Sequence, residues 1–395
     1  MRKNFSVFFL ILTFIVSFGA IFGYSKVKSS SAYAKDDIFD VKSKSAILLD
    51  AESGTIVYKH NETEQRPIAS MCKIMTLLLC FENIDEGEIS LSDKIIVSQT
   101  AAGMGGSQVF LEANAEYSIE SLIKSITIAS ANDACVAMAE RLCGSEENFV
   151  EKMNQKAKEL NMDNTVFTNC TGLPKVGQYS CAKDVAVMFK ELLKHKEYFT
   201  FSGIWMDTIS HPNNRETEIS NTNKLIRYYD GCDSGKTGFT QEAGHCLCAS
   251  AKRNGLRFIC VVISSPDSKT RFKEVSSMFN YGFANFTNKI IIDAETPLEF
   301  KAEIKGGKKE NCKLFAERSI YLFSDKGKER VVDIDFTPIT GIKAPVKVGE
   351  TLGKITVYEN GVEIDAVKVF AGENIDGKSY FDTVKDVTEN WGIAG

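Results

Sequence analysis

Arg66-Pro67-Ile68-Ala69-Ser70-Met71-Cys72-Lys73-Ile74-Met75-Thr76-Leu77-Leu78-Leu79 is the stretch whose reading decides the rest. Ile74 to Leu79 is apolar enough to be a buried helix, and the serine stands three residues before a lysine near its start. A helix N-terminus aims backbone N–H groups and the positive end of the macrodipole at the serine, while burial makes a charge on Lys73 costly. A lysine made acidic by burial can serve as the base for a serine nucleophile. The plainer reading of Ser70 is an N-cap, which on its own has the better prior.

The pattern Ser-x-x-Lys occurs four times, beginning at Ser25, Ser70, Ser121 and Ser180, so the tetrad alone discriminates nothing. Ser25 lies in an apolar N-terminal region, and Ser121 and Ser180 read as surface or first-turn serines. Two other fragments single out Ser70. Ser130-Ala131-Asn132 falls between two expected helices and can present a hydroxyl and an amide to a cleft. Lys236-Thr237-Gly238 lies in a strand-like segment, where a lysine, a hydroxyl and bare backbone can line a groove. Each has a plainer reading, a cap and a β-turn respectively; the three in this order form a specific set. The four histidines, His60, His195, His211 and His245, do not sit beside a nucleophile-elbow pattern, and H-E-x-x-H is absent.

Around this stretch the chain reads as a mixed unit of about 250 residues. Ser45–Asp50 and Thr55–Tyr58 form a hairpin; helices follow over 70–83, 118–128, 132–142, 147–160 and 181–194, with Ser118 as a start signal and Gly144 as a stop. Strands return over 230–263, with Asn254-Gly255 as a hairpin turn, and a last helix covers 269–283. From Lys289 to Phe370 short alternating runs, with Asn360-Gly361 joining two of them, indicate an antiparallel β module. Residues 379–395 space Tyr380, Phe381, Val384, Val387 and Trp391 loosely on one helical face, a weak membrane-surface helix at best.

The 395 residues carry a net charge of −5, and beyond residue 34 there are forty-three basic against fifty-two acidic residues, which removes bulk attraction to nucleic acid. Arg2 and Lys3 precede an apolar run to Tyr24, and Ala32-Tyr33-Ala34 offers a cleavage site, so residues 1–34 read as a secretory signal, with an uncleaved anchor as the alternative. Eleven cysteines on an exported chain suggest disulfides, yet the number is odd and Cys72, Cys80, Cys135, Cys143, Cys246, Cys248 and Cys260 lie in apolar periodic stretches as small core residues. Free thiols there fit an environment poor in oxidants. His245-Cys246-Leu247-Cys248 has soft metal-ligand types, but strand alternation places His245 on the face opposite the two cysteines.

The three motifs, with Gly105-Gly106-Ser107, Ala131 to Glu140, Phe167-Thr168-Asn169-Cys170-Thr171-Gly172-Leu173 and Lys236 to Thr240, make the sequence resemble the penicillin-recognising low-molecular-weight D-alanyl-D-alanine carboxypeptidases. The resemblance covers about 38–286 strongly and the β module more loosely. It implies an α+β fold: a β-lactamase/transpeptidase-like domain at 35–286, a small all-β, sandwich-like domain at 287–375, and a short tail at 376–395. Position by position it implies Ser70 as nucleophile, Lys73 as general base, Ser130 as proton relay with Lys236 beside it, and Asn132 as the holder of a substrate carbonyl. Thr237 would bind the terminal carboxylate with Arg271, next to Gly238, and the N–H groups of Ser70 and Phe239 would form the oxyanion hole. The implied ligands are peptidoglycan stem peptides and β-lactams, with no cofactor. Cys72 stands where the family often has threonine, Ile68 interrupts the usual Pro-Ala-Ser run, and the tail is short. A β-lactamase would need a glutamate where this chain has Ala157. A related D,D-endopeptidase or transpeptidase, or a protein that only binds wall peptide or β-lactam, stays open as an alternative.

Overall fold

The computed structural model describes residues 38–382 and 384. The leader reading of residues 1–34, and Val387 and Trp391 of the tail, lie outside the described residues.

Five antiparallel strands make the central sheet: β1 (Ser45–Asp50), β2 (Ile56–His60), β3 (Cys232–Thr240), β4 (Gly244–Arg253) and β5 (Leu256–Ser265). Their order is β2-β1-β5-β4-β3, so the first hairpin is zipped onto strands about two hundred residues later in the chain. Asn254 and Gly255 both have positive φ, as a tight two-residue hairpin turn requires, and join β4 to β5. Both faces are covered, hence the near-continuous apolar runs in β4 and β5. Ile47, Cys246, Cys248, Ile259 and Val261 face the helices, while Leu48, Leu247, Phe258 and Val262 face a long helix with Met278 and Phe279.

The main helices are α1 (Lys73–Asp85), α2 (Ile119–Ile128), α3 (Asn132–Cys143), α4 (Glu146–Glu159), α5 (Ala182–Leu192) and α6 (Ser268–Asn285). α1 is buried from Lys73 through Phe81 and runs through the middle of the helical region. Its start differs from the expected continuous helix: a tight 3₁₀ turn over Ala69–Cys72 precedes it. Ser118 Oγ accepts from Ser121 N at the start of α2, and Gly144 closes α3 at φ 78°. Ser180 is buried against Thr165 Oγ1, one residue ahead of the Cys181 cap of α5, and is not a surface residue.

After α6 the chain enters strand Phe286–Ile292, which pairs with Ile320–Asp325. A four-stranded antiparallel sheet then orders Leu314–Ala316, Val362–Ala371, Thr351–Glu359 and Asp333–Pro338, with the tightest hairpin turning at Asn360-Gly361, both at positive φ. No helix of the described residues is long and apolar enough to cross a membrane.

All eleven cysteines are free and all but Cys143 are buried. His245 stacks on Phe239 at 4.4 Å between ring centroids, away from Cys246 and Cys248 on the helical face.

Candidate active site

The site forms where the 3₁₀ turn before α1, the corner between α2 and α3, and edge strand β3 meet. Ser70 does not cap a helix; its Oγ accepts a hydrogen bond from Lys73 Nζ at 3.1 Å. Ser130 does not cap one either: held at φ 62°, a conformation costly for a side chain with Cβ, it accepts from Lys236 Nζ at 2.7 Å. Asn132, two residues after Ser130, contacts the first pair. Its Oδ1 accepts from Lys73 Nζ at 2.7 Å, and its Nδ2 donates to Gly105 O at 2.7 Å, leaving one amide hydrogen for another acceptor. Glycine is required at 106, where a Cβ would lie 2.8 Å from that Nδ2.

Lys73 and Lys236 are both buried, and neither enters an ion pair among the described residues. Desolvation lowers the Lys73 pKa, partly opposed by Cys135, Cys72, Cys170 and Asp133. It pulls Lys236 well below the ordinary lysine value, and the neighbouring Lys73 ammonium adds to the effect. Burial without an ion-paired carboxylate lowers the proton affinity of both amines, the condition a basic amine needs near neutral pH. Asp133, also buried, does not neutralise them: its carboxylate accepts from the N–H groups of Val109, Leu111 and Ala134 and ties the 105–111 loop to α3.

β3 packs on the serine turn so closely that a Cβ at Gly238 would lie 2.6 Å from Ile68 O and 3.2 Å from Ser70 N. This glycine therefore brings the backbone at 238–239 beside the nucleophile. Thr237 Oγ1 donates to Thr222 Oγ1 at 2.8 Å. Arg271, from the first turns of α6, donates to Gly238 O and Cys246 O at 3.1 Å each, and its buried Nε has no partner among the described residues. Its guanidinium braces the two strands behind Thr237. Phe239 projects outward, 56% exposed.

Three groups have no counterpart in the sequence reading of the site. Thr171 O accepts from Lys73 Nζ. Gly172, at φ 82°, presses against the serine turn, where a Cβ would meet Ala69 O at 2.0 Å. Thr222 reaches Thr237 from the segment Asn221-Thr222-Asn223, whose two asparagines are buried. The first two lie in the quoted Phe167–Leu173 run. Thr222 carries no sequence signal of its own.

The pairing of a buried lysine with Ser70, and of a second with Ser130, is the arrangement expected of a serine acyl-transfer enzyme. A D-alanyl-D-alanine carboxypeptidase family model matches residues 28–267, well over half the chain. The chain belongs to that family. A second model, described as the penicillin-binding protein 5 C-terminal domain, matches 286–376. The D-alanyl-D-alanine carboxypeptidase DacF of Bacillus subtilis is 38% identical over 91% of this chain and 94% of its own length. DacC of Escherichia coli is 31% identical over 90% of each. Among solved structures, penicillin binding protein 5 of Haemophilus influenzae aligns at TM-score 0.67, 28% identical, over 86% of this chain and 98% of that one. These family members share the α+β architecture and the all-β C-terminal part seen here.

Proposed function

We propose that this carboxypeptidase-family protein removes the terminal D-alanine from peptidoglycan stem peptides through an acyl-enzyme on Ser70, and that β-lactams acylate the same oxygen. The observation that carries the reading is the convergence of Ser70, Lys73, Asn132, Ser130 and Lys236 through contacts of 2.7–3.1 Å around two buried lysines. Neutral Lys73 takes the Ser70 proton as Oγ attacks the carbonyl of the penultimate D-alanine. The oxyanion is stabilised by the N–H groups of Ser70 and Phe239, which Gly238 lets approach each other. Asn132 holds the peptide carbonyl with its remaining amide hydrogen. Collapse breaks the C–N bond as Ser130, beside Lys236, gives its hydroxyl proton to the departing D-alanine amine and takes in its place the proton held by Lys73, which is neutral again. Thr237 with Thr222 receives the terminal carboxylate, while Arg271, bound to Gly238 O, supplies positive potential from behind the strand. Water, deprotonated by Lys73, then frees the shortened peptide.

Ala157, at the position a β-lactamase would fill with glutamate, is buried in the helical core on α4. Deacylation from penicillin is therefore slow. The reaction takes place outside the cytoplasm, on wall peptide; the tail, with Tyr380 and Phe381 exposed, is the segment we assign to contact with the membrane surface. An E. coli D-alanyl-D-alanine endopeptidase is 31% identical over 60% of the chain, whereas the carboxypeptidase relatives extend through the β module, which favours the carboxypeptidase reading.

The test is release of free D-alanine from a diacylated Lys-D-Ala-D-Ala tripeptide, with Ser70→Ala as control. Release that disappears in the control supports both reaction and nucleophile. A penicillin adduct without D-alanine release would turn the reading toward cross-linked substrate or transpeptidation, and folded protein with neither would leave recognition alone.

A further inference from the structure

The segment Phe167–Gly172 belongs to no sheet or helix, yet its backbone groups are satisfied almost entirely by side chains. Gln178 Oε1 accepts from the N–H groups of Thr168 and Asn169, Glu146 Oε1 from Cys170 N, and Asn169 Oδ1 from Thr171 N and Gly172 N. On the carbonyl side, α1 and the turn before it supply a row of donors. Cys72 Sγ donates to Asn169 O at 3.2 Å, Thr76 Oγ1 to Cys170 O at 2.9 Å, and Lys73 Nζ to Thr171 O. Cys135 Sγ on α3 shares Cys170 O with Thr76. The strap therefore carries the acceptor that fixes Lys73, and at Gly172 it abuts the backbone of Ala69 and Ser70.

Within this row Asn169 is the hub, and its carbonyl has a single donor among the described residues, the Cys72 thiol. Cys170 O has two. Burial pushes the Cys72 thiol pKa up, so the group stays a neutral donor at every working pH. A thiol is a weak donor, and its loss leaves a buried carbonyl unpaired at the point where the strap turns toward Lys73.

We propose that Cys72 is a positioning residue for the general base: through Asn169 O it holds the 169–172 strap, and with it Thr171 O, in the register that aims Lys73 Nζ at Ser70. The inference rests on Ser70 and Lys73 acting as nucleophile and base. Small displacements of a reacting group lower rates by one to two powers of ten, so loss of the thiol donor slows acylation about tenfold. The pH profile shifts as well. Thr171 O stabilises the ammonium form of Lys73, so a loosened strap lowers the lysine pKa and moves the acid limb to lower pH. Of the other groups around the ammonium, Lys236 from β3 and Asp133 and Cys135 from α3 keep their places, Cys170 moves with the strap, and the Cys72 sulfur itself is lost in all four variants, so that loss does not separate them.

The experiment compares Cys72→Val, which fills the space without a donor, and Cys72→Ala with Cys72→Thr and Cys72→Ser, which keep one. Acylation by a fluorescent penicillin is followed from pH 5 to 9 on folded protein, with melting temperatures in parallel. The expected result is a tenfold slower, acid-shifted profile for the valine and alanine variants and recovery to within about twofold of the parent for threonine or serine. Equal rates and profiles in all four, whatever their melting temperatures, would overturn the role of Cys72 and make it a packing residue only. If the valine variant does not fold, the alanine–threonine pair decides the same point. A parent protein that forms no adduct at all would overturn the Ser70–Lys73 reading itself, an outcome separate from equal variants of an active parent.

Discussion

The N-terminal part of the molecule and the β module treat charge in opposite ways. From residue 286 onward, among the described residues, the buried polar side chains are Ser324 and Thr356, and the charges stand outside in pairs such as Arg318–Asp365 and Lys309–Glu373. The unit before it buries Asp50, Lys73, Asp133, Asp184, Lys236, Arg257, Arg271 and Glu274. Two of these are lysines without a carboxylate, an arrangement that lowers stability in exchange for reactivity. Asp50, Asp184, Arg257 and Glu274 are buried with hydrogen-bond or ion-pair partners of their own, so it is the two lysines buried without a carboxylate partner that mark where chemistry is carried.

The largest effect expected from this contrast is at Lys236. Lys236→Met should lower the acylation rate by about two powers of ten, since Ser130 loses its cationic neighbour. Unfolding should show the reverse sign. A lysine whose folded pKa is depressed binds its proton more readily in the unfolded chain, so parent stability rises with pH between that lowered value and the ordinary lysine value of 10.5. Methionine removes the Lys236 share of this slope, leaving that of Lys73, and leaves the melting temperature at pH 7 equal to or above that of the parent. A slope as steep as the parent's, or a fall of more than a few degrees in thermal melts, would break the claim that Lys236 is kept at the expense of stability.

Next in size is Gly172→Ala. A Cβ there would overlap Ala69 O at 2.0 Å and would need φ near 82°, so the strap or the serine turn must move. A loss of about 3 kcal/mol in denaturant unfolding is expected, with acylation impaired in whatever protein folds. The same substitution at Gly361, where a Cβ would meet nothing within 4 Å, carries only the cost of its positive φ and sharpens the comparison. The smallest effect belongs to the β module's surface pairs. Arg318→Ala removes a pair whose members are 53% and 30% exposed and should change stability by less than about 1 kcal/mol. A larger loss would mean that the module is not simply folded surface.

The architecture was legible wherever a local rule dictates the outcome. Ser118, Gly144, Asn254-Gly255 and Asn360-Gly361 mark their helix ends and turns because caps and left-handed turns depend on a few neighbouring residues. The pairing of Ser45–Asp50 with Leu256–Ser265 has no such local sign, nor has the 3₁₀ turn at Ala69–Cys72. At the site, Ser70, Lys73, Ser130, Asn132 and Lys236 are side chains in a recognisable order, and the structure brings them together. Thr171 acts through its carbonyl and Gly172 through the space it leaves. Every residue has a carbonyl, so an acceptor made of backbone has no signature in composition or spacing. Ser130 read plainly as a cap for the same reason: only the fold shows its hydroxyl spent on Lys236.

The cysteines have a consequence for anyone handling the protein. All eleven are unpaired, and burial pushes the thiols of Cys181 and Cys232 up to about 12 and that of Cys246 up to about 11. Alkylating reagents attack the thiolate, so labelling at these positions waits for the surrounding structure to open. The chain thus carries its own set of clocks: Cys312 in the β module, Cys248 and Cys260 in the sheet, Cys72 and Cys170 beneath the nucleophile. Mass spectra taken during slow alkylation would date the opening of each region separately, without a single introduced probe.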